Sequence, residues 1–171
     1  MTLADAMLPE FDQEMKATRA VLEVVPQARL DFRPHSKSST LLELATHVAE
    51  LPQWITRSFV GTELDVAPPG GEPLPPAQCN TAAEILQLFD RGAKQARATL
   101  AAARDADLPV VWTLKAGGRK VVAMPRAGMV RSFVLNHLIH HRGQLTVYLR
   151  LCDVPLPWVY GPTADKPHTL T

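Results

Sequence analysis

The stretch Gly61–Asn80, "GTELDVAPPGGEPLPPAQCN", limits what this chain can become more than any other. Proline lacks the backbone N–H that a helix interior needs, and glycine gives up the most conformational freedom on ordering, so this segment reads as a long surface connection. On either side stands the pattern that opens a helix. Thr40-Leu-Leu-Glu43 and Thr81-Ala-Ala-Glu84 both have the form of a capping box, in which threonine and glutamate side chains satisfy orphan backbone N–H groups. A connection of this length can return along a bundle and join two helices that run parallel.

The periodic segments around it follow the same logic. Leu8, Phe11, Met15, Thr18, Leu22 and Val25 recur at three or four residues, which predicts a first helix from Leu3 to Val24. "PQARLDFRPHSKS" breaks it. The second helix runs from the Thr40 cap through Leu44, His47, Val48, Leu51, Trp54, Ile55 and Phe59. Pro52 inside it removes one hydrogen bond and clashes with the Val48 carbonyl, which predicts a kink. The third, opened by Thr81, passes through Ile85, Leu88, Phe89, Ala93, Ala96 and Leu100 to about Ala106. Then the period changes from helical to alternating: "VVWTLKAGGRKVVAM" predicts a β-hairpin turning at Ala116-Gly117-Gly118, one that must lean on the helices. Pro125 can start a fourth helix reaching Leu151, and "CDVPLPWVYGPTADKPHTLT" is an extended, proline-rich tail. The sum is one all-α domain, residues 1–171, built as a four-helix bundle with a small β-hairpin before helix four.

Composition excludes several functions. A formal net charge of +1, with no sign-biased patch along the chain, argues against a nucleic-acid binder. No apolar run approaches the roughly 20 residues that span a bilayer, and the N-terminal sequence lacks the basic and apolar regions of a signal peptide. The expected location is the cytoplasm, where Cys79 and Cys152, far apart and in no CxxC pattern, are free thiols. "KAGGRK" lies in a hairpin turn rather than opening a helix, so it is no phosphate loop, and no nucleophile elbow is present.

The fourth helix raises the functional question. "NHLIHHRGQLTVY", Asn136–Tyr148, places three of the chain's six histidines within five positions of an otherwise apolar run. His137 and His141 are four apart and face the same way, about 40° around the axis and roughly 6 Å along it, which is the geometry two imidazoles need to share one cation. His140 points about 100° away from His141. Two histidines hold a metal weakly, so a third ligand is expected. His47 is the candidate, mid-helix among Leu44, Val48 and Leu51; the plain alternative is a core histidine hydrogen-bonded to a neighbour.

"FRPHSKSSTLLELATHVAEL", "NHLIHHRGQL" and "YGPTAD", in this order, together resemble the DinB family, the DinB/YfiT-like superfamily of small bacterial helical-bundle metalloproteins. The resemblance covers nearly the whole chain. It implies up-down-down-up connectivity, which agrees with the long second connection. It also implies a divalent metal held by one histidine of helix two and an HxxxH pair of helix four, matching His47, His137 and His141. Zinc, nickel and iron all suit three imidazoles. Among such proteins the implied activities are transferases and isomerases using low-molecular-weight thiols.

Neighbouring residues carry lesser expectations. Glu43 and Glu50 lie one turn either side of His47 and could orient its second nitrogen, Glu50 being the freer of the two. Gln144 and Tyr148 line the pocket or fill the interior, Gly143 allows close helix packing or serves the core, and Trp54 belongs to the core. Two functions stand: a metal-dependent, thiol-using enzyme, or a non-catalytic metal-binding dimer in stress or interaction. A homodimer through helix four is expected in either case, because Leu135, Leu138, Leu149 and Leu151 would have no role if only the histidine face were buried.

Overall fold

The computed structural model describes residues 3–167; His168 and the rest of the predicted tail's end lie outside them. Helix α1 spans Leu3–Glu23, and α2 (Leu41–Glu50) and α3 (Gln53–Phe59) divide the predicted second helix. Helix α4 spans Ala82–Ala102, ending short of Ala106 where Ala103 turns extended ahead of a 3₁₀ turn over Asp105–Asp107. Strands β1 (Glu63–Asp65), β2 (Val111–Ala116) and β3 (Arg119–Pro125) precede the last helical stretch. That stretch has three parts: one turn of α5 (Arg126–Gly128), a π-helix over Met129–Leu135, and α6 (Asn136–Leu151). The fold is mostly helical with a small sheet.

The caps behave as their chemistry dictates, with one variation. Thr40 Oγ1 accepts from the Glu43 N–H at 3.1 Å while Glu43 Oε2 accepts from the Thr40 N–H at 2.7 Å, a complete box. Thr81 likewise accepts from Glu84, but the Glu84 carboxylate reaches the Asn80 N–H at 2.6 Å instead. At Pro52 the predicted kink is a break between two helices. The proline keeps helical angles, and the next turn closes on three-residue bonds from Trp54 to Leu51 and from Ile55 to Pro52.

Two expectations are corrected here. The predicted hairpin, β2 with β3, is part of a three-stranded mixed sheet, because β1 from the supposed surface connection pairs in parallel with β2. Asp65 explains the recruitment. Its carboxylate accepts the N–H groups of Ala67, Gly117 and Gly118, so β1 clasps the glycine turn of the hairpin. Those two glycines have φ of +62° and +75°, a conformation their lack of a Cβ permits. The other correction concerns the leucines assigned to a second subunit. Leu135, Leu138 and Leu149 are fully buried within the single chain, and only Leu151 is exposed.

The main core lies among the helices, with Phe11, Leu22, Leu41, Leu51, Ile55, Phe89 and Leu138 at its centre. Helix α1 packs on α4 and α6, and α2 packs on the same two. A second cluster, Trp112, Leu114 and Met129, seats the sheet. Contacts between elements fix their relative directions. Asp12 and Arg19 of α1 pair with Arg97 and Asp90 of α4, and Ser39 and His47 meet Tyr148 and His137 of α6. Arg126 joins sheet to helix: its guanidinium donates to the carbonyls of Ser58 at 2.9 Å and Gly61 at 2.8 Å, satisfying the end of α3. No helix among the described residues is long and apolar enough to cross a membrane.

Candidate metal centre

Helix α2 buries Leu41, Leu44, Ala45 and Val48, and His47 lies at the edge of that face, half-buried. Helix α6 crosses it with Leu138, Leu145 and Leu149 in the core, which turns half-buried His137 and His141 toward His47. The three rings converge. Their centroids are 4.9 Å (His47–His137), 4.7 Å (His47–His141) and 4.6 Å (His137–His141) apart. One nitrogen from each lies within 4.8 Å of the others.

His47 Nε2 and His137 Nε2 are 3.2 Å apart. Two nitrogens bound about 2.0–2.1 Å from one ion at a tetrahedral angle would be about 3.3–3.4 Å apart. The far-side ring nitrogen of His141 is also arranged for ligation. His141 Nδ1 lies 2.7 Å from Gln144 Oε1, an acceptor, so Nδ1 carries the proton and Nε2 keeps its lone pair. On His137 it is Nε2 that turns to His47. In the metal-free chain a proton on one Nε2 bridges His47 and His137 across this distance, and in its place the three neighbouring imidazole nitrogens form a donor set that fits a divalent metal.

Burial favours the neutral form of two of the rings. Burial, helped by the neighbouring imidazoles of His141 and His137, pushes His47 down to about 4 from an ordinary 6.5. Burial lowers His137 as well, with His141 adding to the effect and the nearby Phe133 backbone opposing it. Near neutral pH His47 is therefore uncharged and available.

The surrounding residues divide sharply. His140 is exposed and stands outside the trio, as its helical angle predicted, though its ring lies 4.8 Å from that of His141. Glu50 makes no hydrogen bond to His47; its carboxylate pairs with Arg57 at 3.4 Å, and Glu43 is committed to its cap. Gln144 does touch one of the three rings, at His141 Nδ1. Tyr148 donates to the Ser39 carbonyl at 3.2 Å. Trp54 is half-buried, with its ring stacked edge-on to Phe133 at 5.9 Å and beneath the Arg57 guanidinium at 4.6 Å. Gly143 is exposed, and a Cβ there would meet nothing within 4 Å, so it serves no close packing within the chain.

Two cavities open beside the trio. One, of about 380 Å³, is lined by His47, Thr46, Glu43, Glu50 and the segment 76–80. The other, of about 400 Å³, is lined by His141, Gln144, Tyr148, Leu44 and Ser38–Ser39. What the sequence reading missed lies one residue from His141. Arg142 is 1% exposed and ion-paired with Glu14 at 2.8 Å, and its guanidinium also donates to Thr18 Oγ1 and to the Tyr160 hydroxyl. An arginine within an apolar periodicity was the available signal.

Other proteins share this architecture. A DinB-like protein from Bacillus cereus ATCC 10987 superposes with a TM-score of 0.70 at 22% identity, over 93% of this chain and 98% of its own. The DinB-like protein YjoA from Bacillus subtilis gives 0.67 at 15% identity, over 95% and 99%. A DinB family protein from Exiguobacterium sibiricum 255-15 gives 0.63 at 20% identity, over 92% and 97%. In sequence, the uncharacterized protein YrdA of Bacillus subtilis (strain 168) is 38% identical over 39 residues, a match spanning 23% of this chain and 23% of that protein. The model of the DinB superfamily matches residues 10–145, which takes in the histidine-bearing parts of both helices as far as His141 and Gln144. Fold, histidine placement and this match lead to one assignment: the chain belongs to the DinB superfamily.

Proposed function

We propose that His47, His137 and His141 hold a divalent metal ion, and that the chain uses it in a thiol-dependent transfer or isomerisation. The observation that carries this is the convergence of three imidazole nitrogens within 4.8 Å, two of them 3.2 Å apart. Zinc, nickel and iron all suit the donor set. Among the described residues no fourth His, Cys, Asp or Glu joins the group. A three-ligand centre flanked by two cavities suits a catalytic rather than a sealed structural role.

A bound divalent ion supplies Lewis acidity, lowering the pKa of a thiol or water that reaches it. The chain's own contribution is positional. Gln144 holds His141 Nδ1 and so leaves its Nε2 free, and burial keeps His47 neutral. Glu50, half-buried on the wall of the cavity that His47 lines, is the nearest candidate for handling a proton there.

The same reading takes the helical stretches as an up-down-down-up bundle, supported by Asp12 and Arg19 meeting Arg97 and Asp90, and by Ser39 and His47 meeting Tyr148 and His137. It also takes the chain to be a cytoplasmic homodimer joined over the outer face of α6, where Val147 and Leu151 are exposed. The test of the function is metal analysis of purified protein, followed by a screen of low-molecular-weight thiols against electrophilic acceptors. Turnover that disappears with chelation and returns with one metal supports the proposal. Full metal occupancy with no thiol chemistry would favour the non-catalytic role in stress or interaction.

A further inference from the structure

The last helical stretch contains an uncommon and costly element directly before the first α6 ligand. From Met129 to Leu135 the backbone is π-helical, and the Asn136 N–H bonds to the Arg131 carbonyl rather than to that of Ser132, which an α-helix would use. Such widened turns are less favourable than α-helix and persist where surrounding contacts demand them. Demands come from both ends. Arg126 is anchored on the carbonyls of Ser58 and Gly61, and Met129 is buried beneath the sheet. Arg142 is anchored on Glu14 and Thr18. The π-helix lies between these two anchors.

Phe133 occupies this widened turn. Its ring stands edge-on to the His137 imidazole, with centroids 6.2 Å apart and planes at 73°, and edge-on to Trp54 at 5.9 Å. Trp54 is held in turn by the Arg57 guanidinium, itself bonded to Glu50 and Gln53. Phe133 also packs against both hydrophobic clusters. A half-buried imidazole in an open cleft has rotamers to choose from, and a ring braced on one side by Phe133 loses that choice. We infer that Phe133 is a positioning residue of the metal centre: through the π-helical turn its ring fixes the His137 imidazole in the orientation that faces His47. The inference rests on the metal reading above.

Cobalt(II) added to metal-free protein provides the test, since its visible absorption reports coordination number and geometry independently of any activity. Outer contacts that orient a ligand typically change metal affinity by 10–100-fold. Phe133→Leu, which keeps apolar bulk but removes the ring, should weaken cobalt and zinc binding by about tenfold and alter the cobalt spectrum. Phe133→Tyr, which keeps the ring, should restore both. If Phe133→Leu retained wild-type affinity and spectrum, Phe133 would be a packing residue only and the inference would fall while the metal site stood. Wild-type protein that bound neither ion would overturn both.

Discussion

His141 and Arg142 are consecutive on α6, yet they belong to opposite kinds of polar cluster. Around Arg142 every strong group has a complement. The guanidinium meets the Glu14 carboxylate at 2.8 Å and Thr18 Oγ1 at 3.1 Å, and the Tyr160 hydroxyl accepts from Arg142 while donating to Glu14 at 2.9 Å. Positive and negative charge, donor and acceptor, close on one another, with Arg142, Glu14 and Thr18 buried and the exposed Tyr160 at the rim. Around His141 the groups are alike. Three imidazole nitrogens lie within 4.8 Å of one another, and His141 Nδ1 is turned outward to Gln144. A closed network holds a fold together, whereas like nitrogen donors gathered at one spot suit a cation from outside.

The sharpest way to break this contrast is to remove one member of each cluster. Arg142→Met leaves Glu14 buried without its countercharge, and breaking such a pair typically costs about 3–5 kcal/mol. Urea denaturation should register that loss, and adding Glu14→Leu should recover much of it, because paired replacement by apolar groups is often nearly neutral. His141→Ala in metal-free protein should change stability by within about 1 kcal/mol, typical of a substitution away from a closed network. Comparable destabilisation by both single variants would erase the distinction. With metal present the ranking reverses: His141→Ala should strip the ion from an intact helical protein, measured by atomic absorption after dialysis, while folded Arg142→Met should still bind it.

Acidity sharpens the comparison from another side. In unfolded chain His47 takes a proton near pH ~6.5, and in the fold only near 4. Between those values the unfolded state binds more protons, so stability from neutral His47 is present above about pH 6.5 and is lost as pH falls toward 4. His137, also lowered by burial, adds in the same direction. Metal-free protein should therefore lose melting temperature across this window, and His47→Gln should flatten the slope. A wild-type curve that stays level from pH 6.5 to 4 would contradict the burial argument. Metal should be released over the same descent, as protons compete for the lone pairs.

A smaller effect belongs to Gln144, whose oxygen holds His141 Nδ1 at 2.7 Å. Gln144→Leu should weaken metal affinity by about tenfold, at the low end for orienting partners, with little change in stability. Competition with a chromogenic chelator can measure this, and an unchanged affinity would mean that the helix backbone alone orients His141.

How far such distinctions can be seen in sequence depends on whether they are local. The i, i+4 spacing of His137 and His141 follows from helix geometry, so the pair and its direction were legible, as were the caps at Thr40 and Thr81. His47 came within reach through its apolar neighbours and the family resemblance. The parallel pairing of β1 was not legible: it depends on Asp65 meeting a glycine turn more than fifty residues away, and three residues give no period. Nor was the π-helix, which lies between the tertiary anchors at Arg126 and Arg142 and leaves no mark on composition. Glu50 was misassigned for the same reason. Its position one turn from His47 is local, but its partner Arg57 lies beyond a break that the sequence showed only as a kink.

The smallest expected effect lies on the third face of the same helix and bears on assembly. Gly143 follows Arg142, is exposed, and has open space where a Cβ would stand. Its φ lies outside the left-handed region, so alanine fits without strain. Glycine within a helix is less favourable than alanine by roughly 0.5–1 kcal/mol, through the backbone freedom it loses on folding. In an isolated chain Gly143→Ala should therefore stabilise by up to about 1 kcal/mol, a gain visible as a raised denaturation midpoint at unchanged slope. A second copy packed over Gly143, Val147 and Leu151 would change the sign, because the added methyl group would enter an interface that depends on close approach. Light scattering of wild type and variant separates the cases. A dimer that weakens on Gly143→Ala places the twofold contact on this face; a dimer with undiminished affinity and a stabilised variant moves it elsewhere; a mass near 18.8 kDa for wild type removes the homodimer altogether.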